Sequence, residues 1–253
     1  MTSELTTKKG RTPKIISVEK SMKKLTGPRA VTLRIFKTRN LLASNVVMAL
    51  LGAAWIPMWF FLNLYLQQIQ GYGPFESGLA LLPMTGAIMV LMIGASSRLI
   101  HRTGVKTSMV AGLGLLAVAM LLFSTTPSDN DNFVISVLPA SLIAAVGMSL
   151  AYIPVLTTAV SHAKSEESGL ASGIVNTSYQ IGSALGLAVM VAVASAQTLY
   201  DGNNGVGSIE ALNNGFHPAF VGAAVIAALA AVIALAAIKK SKASNEKETA
   251  IAV

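Results

Sequence analysis

Residues Leu42–Leu66 read LASNVVMALLGAAWIPMWFFLNLYL, with no Asp, Glu, Lys or Arg among them. A helix needs about 20 apolar residues to cross the roughly 30 Å hydrocarbon core of a bilayer. Five further stretches share that character: Ser77–Ser97, Thr107–Ser124, Phe133–Val160, Leu170–Gln197 and Ala219–Ile238. None contains an ionised side chain, each of which costs about 2.5–3.5 kcal/mol at mid-bilayer on insertion scales. The whole chain is 53% hydrophobic and 12% charged, against about 25% charged in soluble domains. Its apolar residues lie in blocks of bilayer length, not in the amphipathic rhythm of a soluble helix. The sequence therefore predicts an all-α integral membrane protein with six transmembrane helices.

The charges between the blocks orient them. Eleven Lys and Arg residues lie between Lys8 and Arg39. Arg98, Arg102 and Lys106 follow the second block, Lys164 follows the fourth, and Lys239, Lys240, Lys242 and Lys247 follow the sixth. All nineteen are thus on one side. The alternate loops carry only Glu76, Asp129, Asp131, Asp201 and Glu210. By the positive-inside rule both termini are cytoplasmic. Three parts follow: a basic cytoplasmic segment over 1–41, a six-span domain over 42–238, and a polar cytoplasmic tail over 239–253. Ile15, Val18, Met22 and Leu25 recur at helical spacing among lysines, so the first part reads either as an interfacial helix or as a disordered basic tail. The expected location is the cell membrane, as a multi-pass protein.

Several function classes drop out. The net charge of +8 is accounted for by orientation and by attraction to anionic headgroups, so nucleic acid is not an expected partner. Cysteine is absent, which removes thiol chemistry, disulfides and Cys-based metal sites. No nucleophile–base pair, metal-ligand cluster or phosphate loop is present, and no cofactor or enzyme activity is expected. His101, His162 and His217 are too scattered in sequence to make a zinc site.

The spans themselves carry polar and aromatic groups that suit either a solute pathway or helix packing. In the first, Asn45, Trp55, Trp59, Asn63 and Gln67 surround Pro57; proline frees a backbone carbonyl and kinks a spanning helix. The fourth contains Gly147, Tyr152 and Pro154. The fifth reads GLASGIVNTSYQIGSALG over residues 169–186. At 100° per residue Gly169, Gly173, Asn176, Gln180 and Ser183 share one face. Gly182 and Gly186 lie with Val175, Ser178 and Tyr179 on another. Small residues let neighbouring helices approach, so this helix is expected to pack on both of those faces. The tight basic loop Ser97–Lys106 contains Arg98, His101, Arg102, Gly104 and Lys106. It reads as a cytoplasmic anchor with a turn at Gly104.

Three of these stretches resemble the C-terminal half of a major facilitator superfamily transporter, of the fourteen-span drug:proton antiporter family (the EmrB/QacA type). The run Tyr65-Leu66-Gln67, Gly71-Tyr72-Gly73-Pro74, Ser77-Gly78-Leu79 and Leu82-Pro83 is similar to that family's ninth span and the turn into its tenth. Residues 169–186 resemble its thirteenth span. Arg102, Gly104 and Lys106 match the superfamily's cytoplasmic gate motif. Ser97 stands where glycine is usual, and His101 where the acid is usual. The resemblance implies two inverted three-helix repeats and a homologous N-terminal six-helix domain as counterpart. It also implies alternating access, with the proton gradient driving export of hydrophobic or cationic small molecules. No carboxylate falls inside the predicted spans, so the expectation is half of an antiporter, incomplete on its own. Its partner would be a separately encoded N-terminal half or a second copy. The alternative is a non-transporting remnant or an interaction and regulatory partner in the membrane.

Overall fold

The computed structural model describes residues 39–128, 133–161 and 168–238. The expectations for the basic arm over 1–38, for His162 and Lys164, and for the tail from 239 lie outside those residues. Six helices are long and apolar enough to cross a membrane. They are α1 (Arg39–Leu64), α2 (Pro74–Val90), α3 (Val105–Phe123), α4 (Leu138–Ser161), α5 (Ser168–Asn203) and α6 (Ser208–Ala237). Wide π-helical turns extend α1 over Tyr65–Ile69 and α2 over Leu91–Ala95, and a short helix, Ser96–Thr103, follows α2. Among the described residues every regular element is helical, as expected in lipid, where a single segment must satisfy its own backbone.

Local chemistry sets the turns. Gly71 takes φ +73 after the π-helical turn. Pro74 then starts α2, and the Glu76 carboxylate accepts the Gly73 N–H at 2.9 Å. That is the acid's half of a capping box, with the carboxylate where the helix dipole favours it. At the other face Gly104 has φ +85 and joins the short helix to α3.

The packing repeats itself. α1 lies on α5 and α6, while α4 lies on α2 and α3; α6 meets α3, and α1 meets α4. Exchanging α1–α3 for α4–α6 maps almost every one of these pairs onto another. Three spans per repeat is an odd number, so the second repeat runs inverted. The exception is that α5 packs closely on α6 whereas α2 rests almost wholly on α4. α2 does so through Ser77, Leu81 and Met84, which recur at helical spacing as its buried residues.

Glycine makes the closest crossings. A Cβ on Gly182 would fall against the Ala49 carbonyl, with its carbon at 2.5 Å and Ala49 Cα at 2.7 Å. A Cβ on Gly186 would meet the Ala53 carbonyl oxygen and, at 2.7 Å, Ala53 Cβ. The Ala53 carbonyl is the one that Pro57, lacking an N–H, leaves unpaired within α1. Gly186 covers it. Gly112 and Gly147 bring α3 and α4 together in the same way.

Two boundaries differ from the sequence reading. Residues 198–218, expected as an outer loop, are helical up to Asn203 and again from Ser208. α5 has 36 residues, roughly 54 Å at 1.5 Å per residue, so its polar end projects past the hydrocarbon. Polar composition there marks a helix entering water, not a loop. The basic loop is likewise helical from Ser96 to Thr103, and only Gly104 breaks it.

Candidate functional site

The sequence-selected polar residues divide into two groups. Asn45 is buried between α1 and α5. Its Nδ2 donates to the Leu41 carbonyl at 2.8 Å, and its Oδ1 accepts from the Ser178 hydroxyl at 3.0 Å. It therefore joins two helices in place of facing a cavity. Asn63 and Gln67 form a short side-chain contact, and Gln67 Nε2 donates to Ser77 Oγ at 3.2 Å, tying the end of α1 to the start of α2. Trp55 is 7% exposed and stacks edge-on with the half-buried Trp59, ring centres 6.1 Å apart.

The second group looks outward. Asn176 and Gln180 are exposed on α5, on the face that carries Gly169 and Gly173. A Cβ at either glycine would meet nothing within 4 Å. Of the two glycine pairs of α5 expected to pack against helices, only one meets a helix among the described residues. Gly182 and Gly186 lie on α1; Gly169 and Gly173 lie on no other described element. The second packed side of α5 is a different one, where Gly215 of α6 sits against Ala194 and Thr198. Ser183, assigned by rotation to the open face, is buried and donates to the Tyr179 carbonyl at 2.7 Å. Tyr152 of α4 and Tyr179 of α5 meet edge to face at 6.1 Å, both half-buried. Trp59, Tyr152, Tyr179, Asn176 and Gln180 are thus left partly or fully uncovered by this chain.

The cytoplasmic loop places Arg98 and Arg102 in the open on the short helix, with Lys106 half-buried at the start of α3. None of the three pairs with an acid among the described residues. His101 lies in the same helix, and its side chain is outside the described set.

Sequence reasoning missed an aromatic groove in the outer half of the bundle. It has a volume of about 430 Å³ and is lined by Phe60, Phe61, Ala194, Thr198, Leu212 and Phe216, among others. The Trp59-Phe60-Phe61 triplet was the available signal. Asp201 was also misplaced. Expected in a loop, it is 8% exposed at the end of α5, where it accepts from Gln197 at 3.0 Å and Asn214 at 2.9 Å. No group of three or more potential metal ligands occurs among the described residues.

Comparison with known proteins adds a family to this geometry. The pattern described as Major Facilitator Superfamily matches residues 5–187. The chain is 29% identical over 200 residues to the cephamycin export protein CmcT of Amycolatopsis lactamdurans, covering 79% of the chain and 40% of that protein. It is 35% identical over 160 residues to the tetracenomycin C resistance and export protein of Streptomyces glaucescens, covering 62% and 29%. It is 30% identical over 218 residues to the lincomycin resistance protein of Streptomyces lincolnensis, covering 86% and 43%. The chain therefore spans less than half the length of these relatives.

Proposed function

The chain belongs to the major facilitator superfamily, and on that premise we propose that it is the C-terminal six-helix half of a proton-driven drug exporter of the fourteen-span type. It is a multi-pass protein of the cell membrane and not an enzyme. Its substrates in this reading are hydrophobic or cationic small molecules, moved by alternating access between this half and a homologous one.

The observation that carries the reading is the uncovered face of α5. Asn176 and Gln180 are exposed there, and amides facing lipid are disfavoured relative to amides facing a cavity or a partner. Trp59 and the Tyr152–Tyr179 pair are also left half-uncovered, aromatic groups of the type that line adaptable binding sites. The match to 40% of the cephamycin exporter's length supports a reading in which a counterpart half completes the pathway. Arg98, Arg102 and Lys106 supply the basic side of a cytoplasmic gate whose acidic partner would come from that counterpart.

Expression in a host stripped of efflux pumps tests this. The chain is produced alone and together with any neighbouring reading frame that encodes the remaining spans, and dye efflux is followed with and without a proton gradient. Gradient-dependent efflux by the pair alone identifies a split transporter. Efflux by the single chain identifies a self-paired one. No gradient-dependent efflux in either case removes the transport reading.

A further inference from the structure

α1 and α5 both run outward, away from the side that carries Lys and Arg, and the aromatic groove lies near their outer ends. Phe60 and Phe61 stand near the end of α1, Ser195 and Thr198 near the end of α5, and Leu212 and Phe216 near the start of α6. Along α5 the lining runs from Val191 to Leu199, about 12 Å at 1.5 Å per residue. The ring of Phe61 is 5.3 Å from that of Phe60 and 5.3 Å from that of Phe216, at steep angles to both. Phe60 is 40% exposed and Ser195 is exposed, so this chain leaves the groove open.

The lining has no charge. None of its residues is Asp, Glu, Lys, Arg or His, and its polar side chains are two hydroxyls. Thr198 donates its proton to the Ala194 carbonyl at 2.9 Å and keeps its lone pairs. Sites for small molecules are mainly apolar and aromatic with a few polar groups, and the groove's volume of about 430 Å³ lies in their range. An aromatic guest adds edge-on and offset ring contacts to the area it buries. A lipid tail gains no such contacts, and it leaves surroundings that are just as apolar. A cation would shed water with no carboxylate in the lining to receive it, and phenyl faces return only a small part of that cost.

The groove also continues the open face of α5. Gln180 and Thr198 are eighteen residues apart, about five turns at 3.6 residues each, so they share one line along the helix. Ala184, Ala188 and Ser195, which lie between them, are exposed. We propose that the groove binds the uncharged aromatic part of a small molecule, at the outer end of the face that carries Asn176 and Gln180. Of the hydrophobic and cationic substrate classes, it selects the first. Its role in export rests on the transporter reading; binding itself needs neither a gradient nor a counterpart.

The test is photolabelling of the full chain in lipid nanodiscs with phenyl(trifluoromethyl)diazirine, a small uncharged aromatic probe, followed by peptide mapping. Residues 60–64, 195–199 and 212–216 are expected to carry label in excess of Leu79, Val90 and Ile93 on the α2 side, although those three are more exposed than Phe60. Anthracene should remove the excess, and the N-methylacridinium cation, which has the same outline, should not. Ser195→Phe, which fills the groove, should bring 60–64 and 212–216 down to the α2 level while label on α2 is unchanged. The wild-type competition decides the matter even where that variant fails to fold. Label that merely follows exposure, an excess that anthracene leaves in place because lipid or another group fills the groove, or equal displacement by both compounds overturns the proposal. A chain that binds anthracene selectively yet drives no efflux loses the transport reading and keeps the site.

Discussion

The α1–α5 crossing makes Gly182→Ala the most informative single change. The new methyl group would sit against the Ala49 backbone, with Ala49 C at 2.5 Å and Cα at 2.7 Å. Ordinary van der Waals contact begins near 3.4 Å, so the helices must separate by about 1 Å. A gap of that size forfeits a quarter to a half of the dispersion well along the contact. Nothing flexible can yield, because the obstructing atoms are backbone. Overpacking of this kind costs about 1–3 kcal/mol. The separation also strains the Ser178–Asn45 hydrogen bond one turn away. At roughly 2–4 °C per kcal/mol for a domain of this size, the melting temperature in detergent or nanodiscs should fall by about 2–12 °C.

Gly173→Ala is the control within the same helix. No atom lies within 4 Å of its built Cβ, and alanine is favoured over glycine in a helix by up to about 1 kcal/mol. Its melting temperature should stay level or rise. The two substitutions are chemically identical and nine residues apart, so helix propensity cannot give them opposite signs; only the neighbour can. If Gly182→Ala is neutral, or Gly173→Ala is equally destabilising, the close crossing is not what holds α5 to α1.

Other changes report on separate links. A double-mutant cycle on Asn45→Ala and Ser178→Ala should give a coupling of about 0.6 kcal/mol and under about 2, the range found for hydrogen bonds between membrane helices; zero coupling would remove the bond. Gly104→Ala meets no steric obstacle, yet places a side chain at φ +85, ψ 152, a backbone region essentially confined to glycine, so it should cost about 1–3 kcal/mol through backbone strain alone, with Gly104→Asn no milder in the same melt. Tyr65→Phe removes one bond to Pro127 and the acceptor of Gln70, and should lower stability by about 1 kcal/mol without altering expression of the fold. In an active pump, Asn176→Ala, Gln180→Ala and Trp59→Ala should shift the profile of transported dyes while leaving the melting temperature within about 1–2 °C, since the two amides are exposed; an unchanged profile removes them from the pathway.

The number of spans was legible because it rests on one dominant energy. A charge in hydrocarbon costs several kcal/mol, and this chain keeps Lys and Arg out of every crossing. Which face of each helix meets another helix was much less legible. In water a buried face is apolar and an exposed one polar, so sequence periodicity marks it. Inside a bilayer both surroundings are apolar, and the distinction shifts from polarity to size. Size is ambiguous: Gly169 and Gly173 look like Gly182 and Gly186 in sequence, yet only the second pair touches a helix. What separates them is the partner. Ala49 and Ala53 are small residues four apart on α1, and Pro57 exposes the Ala53 carbonyl that Gly186 covers.

The same reasoning explains why the polar residues divided as they did. Asn45 and Gln180 are both uncharged amides within predicted spans, and composition treats them alike. Asn45 has a hydroxyl opposite it on α5, so its polarity is spent inside the chain. Gln180 is left exposed, on the face bearing the two glycines that touch nothing. A membrane helix that shows amides and bare glycines on one face has prepared that face for close approach by something that is not lipid. Lipid tails would leave the amides unpaired, whereas a second helical domain or a water-filled pathway would not. That face, more than any motif, makes a counterpart the economical reading of this six-helix unit.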